Sequence, residues 1–171
     1  MRKQNGFSLI ELLIVVAIIL IIAAIAIPNL WKARIAANEA AGAQTVRTLV
    51  TSEVTYSTTY ATVGYAPNLQ TLGPNGVDCT VQANITSTSA CLIDSILGCV
   101  AAPCKKNVYA YSLSSSASAA PYPDYFASGI SLTNTAATKD YCAVTDGVIR
   151  SQVTTGSGIA SAAACGALNA I

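Results

Sequence analysis

The chain has 171 residues, enough for one modest globular domain and an elongated part. Charged residues make up 10% of it, against about 25% in an average soluble protein, and 53% of its residues are apolar. A formal net charge of +1 supplies no basic field for nucleic acid, and the absence of histidine removes the commonest general base and metal ligand.

Residues 1–6, Met-Arg-Lys-Gln-Asn-Gly, form a short basic and polar head. Residues 7–27 then run without Gly or Pro and carry one charge, Glu11. At 1.5 Å per residue, about 20 apolar residues cross the roughly 30 Å hydrocarbon core of a bilayer, so this segment is long enough to span. An acid inside such a segment costs a few kcal/mol unless it is partnered. No basic side chain lies between Lys3 and Lys32 to partner it.

Beyond Pro28 the pattern turns amphipathic. Ile35, Gly42, Val46, Leu49 or Val50, Val54, Ser57 and Tyr60 recur at three- and four-residue steps, with Lys32, Arg34, Asn38, Arg47 and Glu53 beside them. The spacing predicts one continuous helix over about 7–61, ended by Gly64 and Pro67. Pro28 predicts a kink, because it removes a backbone donor and crowds the preceding turn. Gly42 is expected to be a second soft point. A helix on the order of 80 Å long exceeds what a small globule needs internally, so much of it is expected to pack on other molecules.

Residues 65–90, rich in Pro, Gly, Asn, Thr and Ser, read as a loop region. A short helix is expected over 91–97, with Ser89 as cap and Gly98 as stop. Strands are expected over 107–114, 122–133 and 139–151, and the Asp146-Gly147 turn divides the last into 140–145 and 148–152. Close spacing favours antiparallel pairing. The tail over 154–171 is Gly/Ser/Ala-rich and weakly patterned, and Tyr56, Tyr60 and Tyr65 are expected to pack the head domain onto its own helix.

All six cysteines, Cys79, Cys91, Cys99, Cys104, Cys142 and Cys165, follow the apolar segment. An even count in a small exported domain predicts disulfides formed in an oxidising compartment. No Cys-X-X-Cys pair and no His are present to build a zinc or redox centre. Connectivity stays open; nearest-neighbour pairing gives Cys79–Cys91, Cys99–Cys104 and Cys142–Cys165. Without His no Ser/His/Asp or Cys/His set can be assembled, the eight acids are scattered, and there is no nucleotide-binding loop. We therefore expect no enzyme, no cofactor and no metal centre.

The segment Gly6-Phe7-Ser8-Leu9-Ile10-Glu11-Leu12-Leu13-Ile14-Val15-Val16 closely resembles the type IV prepilin signature. In that family a dedicated peptidase cuts after the glycine and methylates the new terminal phenylalanine. The resemblance implies that Gly6 ends the leader, that Phe7 is the first and N-methylated residue of the mature chain, and that Glu11 is the assembly glutamate that meets a neighbour's terminal amine. The similarity continues through Pro28 and Ala33-Arg34-Ile35-Ala36-Ala37-Asn38-Glu39 to about Tyr60. It resumes loosely at Leu92-Ile93-Asp94 and over 141–150.

The resemblance implies an α+β, pilin-like fold, a long helix whose outer half packs on a small antiparallel sheet. The expected divisions are a leader (1–6), a transmembrane and assembly helix (7–27), its amphipathic continuation (28–63) and a disulfide-bonded head (64–171). The implied function is a structural subunit of a type IV pilus or pilus-like filament. Such a subunit starts as a single-pass inner-membrane protein and ends in a periplasmic or extracellular filament. Its implied partners are identical and homologous pilin subunits, the prepilin peptidase and an inner-membrane assembly platform.

A pseudopilin of a type II secretion system carries the same motif and is the alternative. A Sec-type signal ending at Ala24-Ile25-Ala26 and a plain membrane anchor are further readings, disfavoured by the length of the apolar run and by Glu11. Asp140, Asp146 and the 134–138 loop offer oxygen ligands of the kind some pseudopilins use for Ca²⁺, but turn formation accounts for them.

Overall fold

A computed structural model describes residues 8–154 and 156–171. Helix α1 spans Leu9–Thr59, 51 residues, and runs unbroken through Pro28 and Gly42. At 1.5 Å per residue it is about 75 Å long. It begins after Ser8, whose backbone N–H donates to Glu11 Oε2 at 3.2 Å and so satisfies one donor ahead of the first turn. At the other end the Tyr60 N–H donates to Tyr56 O, and the Val63 and Gly64 N–H groups both donate to Tyr60 O. Gly64 has φ +84°, and a Cβ there would lie 2.3 Å from the Tyr122 carbonyl oxygen, so only glycine fits this exit.

The head is a five-stranded antiparallel meander. Strands β1 (Cys104–Lys106), β2 (Tyr109–Ser114), β3 (Phe126–Ser131), β4 (Lys139–Val144) and β5 (Ile149–Val153) lie side by side in chain order. The register sets Tyr111 opposite Gly129, Gly129 opposite Tyr141, and Ala127 opposite Ala143. Period-2 alternation sends these residues to the face that meets α1. Small residues in the middle strands let the helix approach, and Val46 and Leu49 are fully buried there. Tyr109, Tyr111 and Tyr141 close the sides, and a Cβ on Gly42 would come within 2.6 Å of Tyr109 Cε2. Gly42 is therefore the notch that seats a tyrosine ring, and the expected soft point is a packing contact. On the opposite face of the sheet, Cys142, Ile159 and Cys165 form a second, smaller cluster.

The structure corrects several local expectations. No helix forms over 91–97. Cys91 has φ +54°, the Leu92 and Ile93 N–H groups both donate to Leu72 O, and Asp94 caps a single turn by accepting from Ile96 and Leu97 N–H. Ser89 is buried and donates its hydroxyl to Pro74 O, so it caps nothing. The 65–90 loop contains a one-turn helix, α2 (Leu69–Leu72), capped by Asn68. The tail contains α3 (Ala162–Gly166), whose Ser161 cap accepts from Ala164 N–H. The packed stripe of α1 also differs. Ser52, Glu53 and Tyr56 are buried, whereas Val54 is 51% exposed.

Candidate functional site

In α1 every residue over 9–34 except Ala23 is exposed, although nearly all are apolar. The helix is long and apolar enough to cross a membrane, and its most apolar stretch is not buried by the chain's own fold. An apolar surface of this extent marks a site covered by lipid or protein. Glu11 lies on it in the first turn, with one carboxylate oxygen on the Ser8 N–H. Pro28 lies within the helix, where its missing N–H leaves the Ala24 carbonyl without its intrahelical donor. Gly6 and Phe7 lie outside the described residues.

Among the described residues the hydrogen bonds between head and α1 begin beyond this surface, at Asn38. The Asn38 side-chain amide donates to Ala136 O at 2.8 Å. Glu39 Oε1 accepts from both the backbone N–H and the hydroxyl of Thr138, and Lys139 Nζ lies 3.5 Å from Glu39 Oε2. Burial works against the Glu39 charge, but the Thr138 bonds and Lys139 outweigh it and hold the carboxyl below its usual range. These contacts join α1 to the β3–β4 loop.

Further along, Glu53 is fully buried. Its Oε2 accepts from Ala66 N–H at 2.9 Å, and its Oε1 has no hydrogen-bond partner among the described residues. Burial pushes the carboxyl up to about 8, against the opposing Ala66 bond. Next to it the Tyr56 hydroxyl donates to Ser87 O, and burial pushes that phenol up to about 12. The amphipathic pattern sets Glu53 beside the packed stripe, yet the structure buries it, a rare place for a carboxylate. The signal was in the spacing, since Gly42, Val46, Leu49, Glu53, Tyr56 and Tyr60 follow one another at steps of four and three.

The cysteines are joined as Cys79–Cys91, Cys99–Cys104 and Cys142–Cys165, with none free. Asp140 is also fully buried. Its Oδ1 accepts from Ser131 N–H at 2.8 Å, just where the β3–β4 ladder stops at Gly129 and Tyr141, so the side chain takes over a lost backbone acceptor. Asp146 pairs instead with Arg150 at 2.6 Å. Among the described residues no three acidic or thiol groups converge as a metal set.

Residues 1–27 match the family described as the prokaryotic N-terminal methylation motif. The chain carries the methylation motif of prokaryotic pilins. Over 39 residues it is also 64% identical to the type IV wide pilus major component PilA4 of Thermus thermophilus, a match covering 23% of this chain and 30% of that protein. The chain thus spans less than a third of the relative it matches. No solved structure matches it. A methylation-motif helix carried into a small antiparallel sheet is a pilin-like α+β architecture.

Proposed function

We propose that the chain is a structural subunit of a type IV pilus or pilus-like filament. The observation that carries this reading is the exposed apolar half of α1, most of which lies within the methylation motif over residues 1–27. On this reading residues 1–6 are a leader and 7–27 span the inner membrane, 28–63 continue the helix and 64–171 form the head. The prepilin peptidase cuts between Gly6 and Phe7 and methylates Phe7, and the assembly platform moves the subunit from the membrane into a filament of identical and homologous subunits outside it. Cleavage creates the amine that Glu11 of a neighbouring subunit needs. One Glu11 oxygen accepts from the Ser8 N–H, and on this reading the other receives that amine. Pairing a bilayer acid with a bilayer amine removes the cost of both and sets the register of docking. The similarity to a wide-pilus major component supports the pilus over a type II secretion pseudopilin. Catalysis has no part in this reading.

Terminal sequencing of the mature protein is the test. N-methylated Phe7 is expected. A start at Ile27 would point to Sec processing, and an intact Met1 to a plain anchor. Glu11→Ala is expected to leave membrane insertion unchanged and to reduce filament yield at least tenfold; a normal yield would remove the proposed role of Glu11.

A further inference from the structure

We propose that the groove between the juxtamembrane turns of α1 and the β3–β4 loop binds the phosphodiester headgroup of an anionic phospholipid, in the leaflet on the head-domain side. The inference rests on the membrane-spanning reading of residues 7–27. The groove, about 190 Å³, is lined by Trp31, Arg34, Ile35, Asn38, Thr135 and Ala136. The helical members fall at i, i+3, i+4 and i+7, a single face of α1. The far wall is held in place by the Asn38–Ala136 and Glu39–Thr138 bonds.

Charge, donors and height agree on the occupant. Arg34 has no ion pair or hydrogen-bond partner among the described residues, and none of the six lining residues is acidic. The nearest acid along the helix, Glu39, is already engaged by Thr138 and Lys139. The Arg34 guanidinium, the Trp31 indole N–H and the Thr135 hydroxyl are all donors, and a planar guanidinium matches a phosphate bidentately. With the span ending at Ile27, Trp31 lies about 6 Å and Arg34 about 10 Å further along the axis. The headgroup layer on each side of a bilayer is roughly 5–8 Å deep. Helical side chains lean towards the helix N-terminus, here towards the membrane, so Arg34 reaches back into that layer. Tryptophan is enriched at the same level of membrane proteins. The groove would hold the head at a fixed tilt above the bilayer, and extraction into a filament would break the contact.

Trp31 is the chain's one tryptophan, so its fluorescence reports on this groove alone. The full chain would be reconstituted in phosphatidylcholine vesicles with and without phosphatidylglycerol, and acrylamide quenching of Trp31 measured in each. Phosphatidylglycerol is expected to lower the quenching constant at least twofold. Arg34→Gln, at an exposed position, is expected to abolish that difference with the circular dichroism spectrum unchanged, and Lys32→Gln, off the groove, to preserve it. Equal quenching in the two lipids, or an undiminished difference in Arg34→Gln, would overturn the proposal. If Arg34→Gln keeps the lipid effect but lowers filament yield, the groove belongs to a neighbouring subunit and the lipid assignment is wrong. Equal protection by inorganic phosphate in detergent would assign it to a free anion instead. Carbonate extraction separates the two levels: a wild-type chain released by carbonate loses the spanning reading itself, whereas a retained chain without the lipid effect loses only the groove.

Discussion

At Glu53 helical spacing and charge pull in opposite directions. The ladder through Val46, Leu49 and Tyr56 turns this position inward, and burial then favours the protonated acid, with its carboxyl pushed up to about 8 from 4.5. The unfolded chain releases this proton near pH 4.5 and the native chain only near pH 8. Between those values the native state binds more protons, so stability falls as pH rises. Denaturation midpoints are expected to be highest near pH 5 and to decline towards pH 8, by up to roughly 4 kcal/mol in stability. Glu53→Gln is expected to flatten that decline, and an unchanged slope in urea titrations of the variant would refute the assignment. Below about pH 4 the trend reverses. There Glu39, Asp94 and Asp124, held below their usual ranges in the native state, become protonated and their contribution is lost.

Among the elements, α1 and the strands β2 to β5 announce themselves through period and composition, because each is long enough to repeat its pattern. The strand β1 and the helices α2 and α3 do not, since three residues of strand, or four to five of helix, complete fewer than two repeats. Their positions depend on anchors elsewhere in the chain. The Cys99–Cys104 bond holds the start of β1, and Cys142–Cys165 ties α3 to β4 across 23 residues. The region over 91–97 fails as a helix for a related reason: Leu72 O takes two of its N–H groups, a tertiary claim that no local propensity reveals. In the chain-entropy view a loop the size of Cys142–Cys165 is worth about 3 kcal/mol. A Cys142→Ala/Cys165→Ala double variant is expected to lose about that much in denaturant unfolding, and to be cleaved faster in its 154–171 tail under limited proteolysis.

As a whole the molecule has two parts that share one helix. Residues 9–34 contribute nothing to the buried core, whose contribution from α1 begins at Gly42. A chain starting at residue 35 keeps Asn38, Glu39 and the entire sheet-facing stripe. It is therefore expected to fold as a detergent-free monomer and to melt within a few degrees of the full chain, as checked by size-exclusion chromatography and thermal circular dichroism. Aggregation or loss of a cooperative melt would show that the apolar half also supports the head.

By itself the sequence determined the membrane-length helix, the lone acid Glu11 within it and the strand-rich head. Each is a local property of composition or spacing within a few residues. Tertiary structure alone decided that Gly42 seats a ring and that Glu53 is buried and Val54 is not, and it selected nearest-neighbour pairing among the connectivities the sequence left open. It also decided where the β3–β4 loop meets the helix. The bonds that close the groove join residues 98 and 99 positions apart, Asn38 to Ala136 and Glu39 to Thr138. Contacts at that separation arise only when the sheet has folded back onto the helix, so no pattern within either segment encodes them.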